Sequence, residues 1–203
     1  MGGRGSASNL QPRPSNPPEP KLTPGFEYLG EKGEPRDMDT ARQTSNPNFF
    51  KGREWQQNCQ RCIYAYEMQR RGYDVEAKPR IFDGTDRLPY MNDRQGWLQV
   101  MENPQVVDFT SRNTIKQMAE KMAEFGEGAR AIVRVTWKGR RSGHVFIAEQ
   151  DRTGTIFVDP QTGRNVDIHS YMSEAIKGET KLVRIDNLKP TQLLEKCVKR
   201  RGS

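Results

Sequence analysis

Two of the chain's three cysteines, Cys59 and Cys62, stand one helical turn apart in the run NCQRC. Such a pair can bind zinc, exchange disulfides, fill a core, or supply a nucleophile with a buried neighbour. Zinc would need further nitrogen or sulfur ligands; Cys197, His144 and His169 are the only candidates, and they form no second close pair, so no metal is expected. A redox pair of the thioredoxin type would follow a buried strand, and REWQQ does not read as one. Cys62 falls one turn inside a helix on its apolar side, where burial makes a thiol inert. Cys59 is the first residue after Asn58. There unpaired backbone N–H groups and the helix dipole favour a thiolate and can also hold an oxyanion.

A nucleophile at Cys59 needs a base, and the chain has two histidines. His169, in VDIHSYM, precedes a short helical pattern and reads as an exposed or capping residue. His144 opens the strand GHVFIAEQ, with Gly143 leaving room beside it. The next strand is TIFVDPQ. If QDRT or DRTG is the turn between them, His144 faces Asp159 or Gln161, since cross-strand partners lie about 5 Å apart. Either side chain would fix the ring tautomer, and the carboxylate would also favour the imidazolium. Alone, Asp159 in DPQTG is ordinary turn chemistry; its pairing with His144 makes it a candidate orienter.

These residues need elements to hold them. Cys59, Cys62, Ile63 and Tyr66 recur at helical spacing, and the spacing predicts a helix with Asn58 as its cap, Arg70 and Arg71 at its basic end and Gly72 as its stop. YDVEA then alternates as a short strand. Residues 79–109 have no firm assignment. Ile115, Met118, Met122 and Phe125 define an amphipathic helix ended by Gly126. The period then changes to that of strands in RAIVRVTW, HVFIAEQ, TIFVD and KLVRID, and a final helix is expected in TQLLEKCV after Pro190. Helix first and antiparallel sheet afterwards is an α+β domain.

The 203 residues suffice for one ordinary domain, although the apolar fraction of 33% is low. The deficit is concentrated in residues 1–45, where Pro, Gly, Ser and Asn prevail without periodicity, and the expectation is a disordered leader before a domain spanning 46–203. No apolar run approaches the roughly 20 residues of a membrane span, and no signal-peptide stretch opens the chain. Synthesis as a soluble cytoplasmic protein is expected. The net charge of +7 suits an acidic partner, but its Lys and Arg residues are scattered and accompany no nucleic-acid motif, so a nucleic-acid partner is not expected.

In NCQRCIYAYEMQRRGYDVEA, GHVFIAEQ and FVDPQTG, in that order, the chain resembles the papain-fold toxin domains of bacterial polymorphic toxin systems and of prophage head-associated proteins. These are labelled glutamine deamidases. The resemblance runs from Asn46 to Val198 and implies a papain-like core with its nucleophile helix packed on an antiparallel sheet. It places the nucleophile on Cys59, the histidine on His144 and the acid on Asp159. It gives Gln161 an orienting or substrate role, and an oxyanion-hole amide would come from Gln57, Gln56 or Asn58.

The implied activity is cysteine-dependent deamidation of glutamine side chains in a target protein, without a cofactor. A peptidase or a transglutaminase would use the same groups. The competing classes are a non-enzymatic phage-head or binding module with a core or zinc-bound cysteine pair, and an RNA-directed toxin, which would bind RNA in a salt-sensitive way. A toxin of this kind implies a cognate immunity protein covering the cleft, and delivery from the producer's cytoplasm to a target cell, by secretion without a signal peptide or with a phage particle.

Overall fold

The computed structural model describes residues 19–22, 24–88, 96–110, 113–140 and 142–202. Residues 1–18 of the expected leader lie outside the described residues, as do 89–95 within the unassigned stretch.

From residue 24 onward the expected leader is packed on the domain, which corrects its reading as disordered to Ser45. Phe26, Leu29 and Ala41 are buried in the main core. Helix α1 (Met38–Thr44) is capped by Asp37, whose carboxylate accepts from Thr40 N at 2.8 Å. Polar contacts supply what apolar residues do not: Arg36 Nη1 donates to Gln69 Oε1 at 3.1 Å, and Arg42 donates to the Gly163 carbonyl. Sparse hydrophobics hid this attachment from a periodicity search.

After the short α2 (Arg53–Gln56) comes α3 (Cys59–Arg70), then β1 (Val75–Ala77), β2 (Val106–Phe109) and α4 (Thr114–Phe125). The expected meander follows as β3 (Arg130–Thr136), β4 (Gly143–Gln150) and β5 (Thr155–Asp159), with a short β6 (Arg164–Asn165). Helix α5 (Ile168–Glu174), β7 (Thr180–Arg184) and β8 (Val198–Arg200) complete the chain. The main sheet is antiparallel in the order β2-β7-β3-β4-β5-β6, and β1 pairs with β8 in a separate ribbon. TQLLEKCV is therefore not an α-helix: Gln192–Lys196 forms a 3₁₀ turn, and Val198 enters β8, where β1 supplies backbone partners.

Strand alternation gives the sheet two buried faces. Ile132, Val145, Ile147, Val158 and Val183 pack toward α3, whereas Val133, Phe146, Phe157 and Leu182 pack toward α4 and α5. Helix α3 departs from the one-sided pattern expected of it. Every residue from Cys59 to Gln69 is buried, including Arg61, Glu67 and Gln69, so the helix is central rather than half-exposed. Its polar side chains meet partners in place of water. Arg70 and Arg71 likewise serve tertiary contacts: Arg70 pairs with Glu149 on β4, and buried Arg71 pairs with Glu67 and donates to the Ile185 and Leu188 carbonyls.

Gly72 ends α3 as expected, at φ +98°, and its carbonyl accepts from Gly33 N at 2.8 Å. A Cβ at this position would fall inside contact distance of the Gly33 carbonyl oxygen. Gly72→Ala is expected to lose about 3 kcal/mol of stability from the unfavourable φ and the backbone clash together, read as a lower urea midpoint at unchanged slope.

Candidate active site

At the end of the sheet where β4 begins and β5 stops, the N-terminus of α3 meets the two strands around a cleft of about 440 Å³. Gln56, Gln57, Cys59, Gln60 and Arg80 line it from the helix side, and Trp137, Arg140, Gly143, His144 and Gln161 from the sheet side. Cys59 is 7% exposed at the first position of α3. The first amides bonded into the helix are those of Arg61 and Cys62, both donating to the Asn58 carbonyl, so the Cys59 N–H precedes the ladder.

His144 Nε2 lies 3.1 Å from Asp159 Oδ2. That contact leaves Nδ1 as the ring nitrogen available to Cys59, whose Sγ donates to Gln60 Oε1 at 3.4 Å. The β4–β5 ladder pairs Ile147 with Val158 and Gln150 with Thr155, so DRTG is the turn. Continued to the start of β4, this register sets His144 against Gln161 and Asp159 against Phe146. Asp159 therefore reaches His144 on the diagonal, along the face the two share, rather than from directly opposite.

Burial opposes a charge on the His144 ring, but the Asp159 carboxylate, and after it the Cys59 thiol, outweighs that opposition and raises the pKa to about 10. Burial would likewise raise Asp159, yet the imidazolium, the Gln161 N–H (3.0 Å) and the Tyr171 hydroxyl (3.1 Å) hold its carboxyl below the usual range. Because the folded-state value for His144 exceeds the unfolded one, its contribution to stability is complete below about pH 6.5 and is lost as the pH rises through about 10. Trp137 stacks on the ring with centroids 6.1 Å apart and planes at 19°, which fixes its tilt.

The other sequence candidates divide. Gln57 lines the cleft; its Oε1 accepts from Arg80 Nη1 at 3.4 Å, leaving the amide N–H₂ to donate. Gln161 lines it too, but its side chain donates to Asn58 Oδ1 at 3.3 Å. Asn58 is corrected on two counts. Its side chain makes no cap bond to the helix amides, and it is fully buried, donating to the Lys78 carbonyl and the Asn46 amide oxygen instead of pointing into the cleft. Asn46 in turn donates to the Gln161 carbonyl at 2.9 Å. These three neutral amides join the start of α3 to the turn that follows Asp159.

Cys62 is fully buried and donates to Asn58 Oδ1 at 3.2 Å; burial, then the charges of Cys59 and Asp159, push its thiol well up. His169 is exposed on α5, away from the cleft lining. Among the described residues no group of three His, Cys, Asp or Glu side chains is arranged to hold a metal, and no helix is long and apolar enough to cross a membrane. A larger cavity, about 740 Å³, is lined by Arg61, Lys78, Leu88 and Leu193 among others, but by neither Cys59 nor His144.

Sequence reasoning missed Tyr171, Trp137 and Asn46. Trp137 was within reach of it: Val135 pairs with His144, and Trp137 lies two residues on, on the same side. Nothing in the sequence marks Asn46, whose contacts are all long-range or across a turn.

A cysteine at the head of a central helix, set against an antiparallel sheet that presents a histidine and a carboxylate, is the papain-like arrangement. Comparison with protein-family models matches residues 57–164 to papain fold toxin 1, glutamine deamidase, and the chain belongs to that family. The matched span holds Cys59, His144 and Asp159. A search of the curated proteins gave no match.

Proposed function

We propose that the protein is a toxin that deamidates glutamine side chains of a target protein through Cys59, His144 and Asp159. The observation carrying this reading is the shared cleft, in which the helix-terminal thiol and the Asp159-supported imidazole meet within the span matched to glutamine deamidases.

In this reading the Cys59 thiolate attacks the carboxamide carbon, and the oxyanion accepts from the Cys59 N–H and the Gln57 amide. The His144 Nδ1–H protonates the leaving nitrogen, the C–N bond breaks and ammonia departs, leaving a thioester and neutral imidazole. Water then gives a proton to His144 and adds to the thioester. The C–S bond breaks, glutamate is released and the thiolate and imidazolium are restored. Asp159 orients the ring and stabilises its charged form. A cognate immunity protein covering the cleft belongs to the same reading, and the chain's net charge of +7 suits an acidic one. Delivery to a target cell belongs to it as well.

The test is ammonia release together with mass mapping of glutaminyl proteins exposed to the protein. Conversion of glutamine to glutamate without chain cleavage supports the reading. Cleaved backbone with intact glutamines would replace it with a peptidase. Asp159→Asn keeps a hydrogen-bonding partner but removes the charge that holds His144 up. The alkaline limb of the rate profile should therefore move from near pH 10 toward neutrality, with roughly tenfold lower rate at mildly alkaline pH.

A further inference from the structure

We infer that the cleft selects glutamines flanked by acidic residues, with Arg80 and Arg140 as the specificity-determining pair. The inference rests on the deamidase reading and adds to it the chemical character of the substrate segment.

The lining of the cleft contains two arginines and no carboxylate. Arg80 enters from the helix side and Arg140, in the β3–β4 turn, from the sheet side, so a segment presenting its glutamine to Cys59 passes between two guanidinium groups. Neither is neutralised: among the described residues no ion pair engages Arg80 or Arg140, and Arg80 Nε is buried without a partner. Several cations elsewhere in the chain are matched, as in Arg61 with Asp86, Arg70 with Glu149 and Arg130 with Glu67. Charge left uncompensated in a walled cleft focuses its field on whatever enters.

Arg80 is also held in place. Its guanidinium lies 5.0 Å from the centroid of Phe82, which Arg53 covers at 4.6 Å, and its Nη1 reaches Gln57. Ile81 and Phe82, which follow it in the chain, remain about half exposed. A guanidinium fixed by stacking loses less freedom on pairing with a carboxylate than a mobile lysine would.

The experiment has two arms, both on the full chain. First, Cys59 is alkylated with anionic iodoacetate and with neutral iodoacetamide, in wild type and in the Arg80→Gln/Arg140→Gln double variant. The iodoacetate-to-iodoacetamide rate ratio should fall roughly tenfold in the variant and should fall with salt in wild type. An unchanged ratio overturns the inference without using any substrate. Second, peptides carrying Glu-Gln-Glu and Lys-Gln-Lys are compared for ammonia release by wild type. Preference for the acidic peptide supports the inference, and equal turnover overturns it while leaving the deamidase reading intact. No turnover of either peptide or of any glutaminyl protein counts against the deamidase reading, and the alkylation ratio then still decides whether the cleft favours anions.

Discussion

Cys59→Ala protein is expected to lose ammonia release by about five orders of magnitude, and with it toxicity on expression, whereas Cys62→Ala protein should keep most of its turnover. The two thiols sit one turn apart on the same helix, so composition cannot separate them; position does. Cys59 opens into the cleft beside His144. Cys62 is sealed inside, hydrogen-bonded to Asn58, with its thiol pushed well up by burial. Removing its sulfur costs about 1 kcal/mol of stability and no chemistry. Parallel rates of ammonia release by the two variants would remove Cys59 from the nucleophile's role.

Glu67→Ala is expected to cost about 3 to 5 kcal/mol of folding stability, a large part of what a domain of this size possesses. Glu67 is fully buried on α3 and accepts from Arg71 at 2.7 Å and from Arg130 of β3 at 2.6 Å. Burial alone would raise its pKa, but the two guanidinium groups dominate and take it from 4.5 to about 2. The sign follows from that depression. The stability it contributes is complete above about pH 4.5 and is lost as the pH falls toward about 2, amounting to about 3 kcal/mol. Urea unfolding of wild type and Glu67→Gln across that acid range measures it. The wild-type curve should fall with acid, and the variant's should fall less. Equal acid sensitivity in the two proteins would show that Glu67 is not the group being titrated.

Much of this was legible in the sequence. The change of period from helix to strand located α3, α4 and the β3–β5 meander, and Gly72 and Gly126 marked helix ends because only a residue without Cβ takes up their backbone angles at no cost. The cysteine at a helix start and the histidine at a strand start came from position alone. What stayed hidden has a common physical form: contacts between polar side chains distant in sequence. Periodicity sees apolar stripes, so it gave α3 one buried face when polar partners bury the others as well. It passed over residues 24–45 because their attachment is mostly hydrogen-bonded, and it misassigned Thr191–Val198, where the decisive factor was a free strand edge on β1. The register of β4 and β5 was open by one turn choice. The diagonal reach from Asp159 to His144 needed the strands' actual geometry.

The three neutral amides of Asn46, Asn58 and Gln161 have a consequence for when the protein is dangerous. The proposed nucleophile and its base are separated by 85 positions of chain, from Cys59 to His144, and only the closed fold brings them together. An extended chain, such as one threaded through a narrow conduit, carries an ordinary thiol and an ordinary imidazole, and so travels disarmed. Under the proposed delivery to a target cell, arming would coincide with folding at the destination. The amides that lock helix to loop carry no charge, so that junction itself does not titrate, whereas the buried Glu67 and His144 pairs leave folding as a whole sensitive to pH.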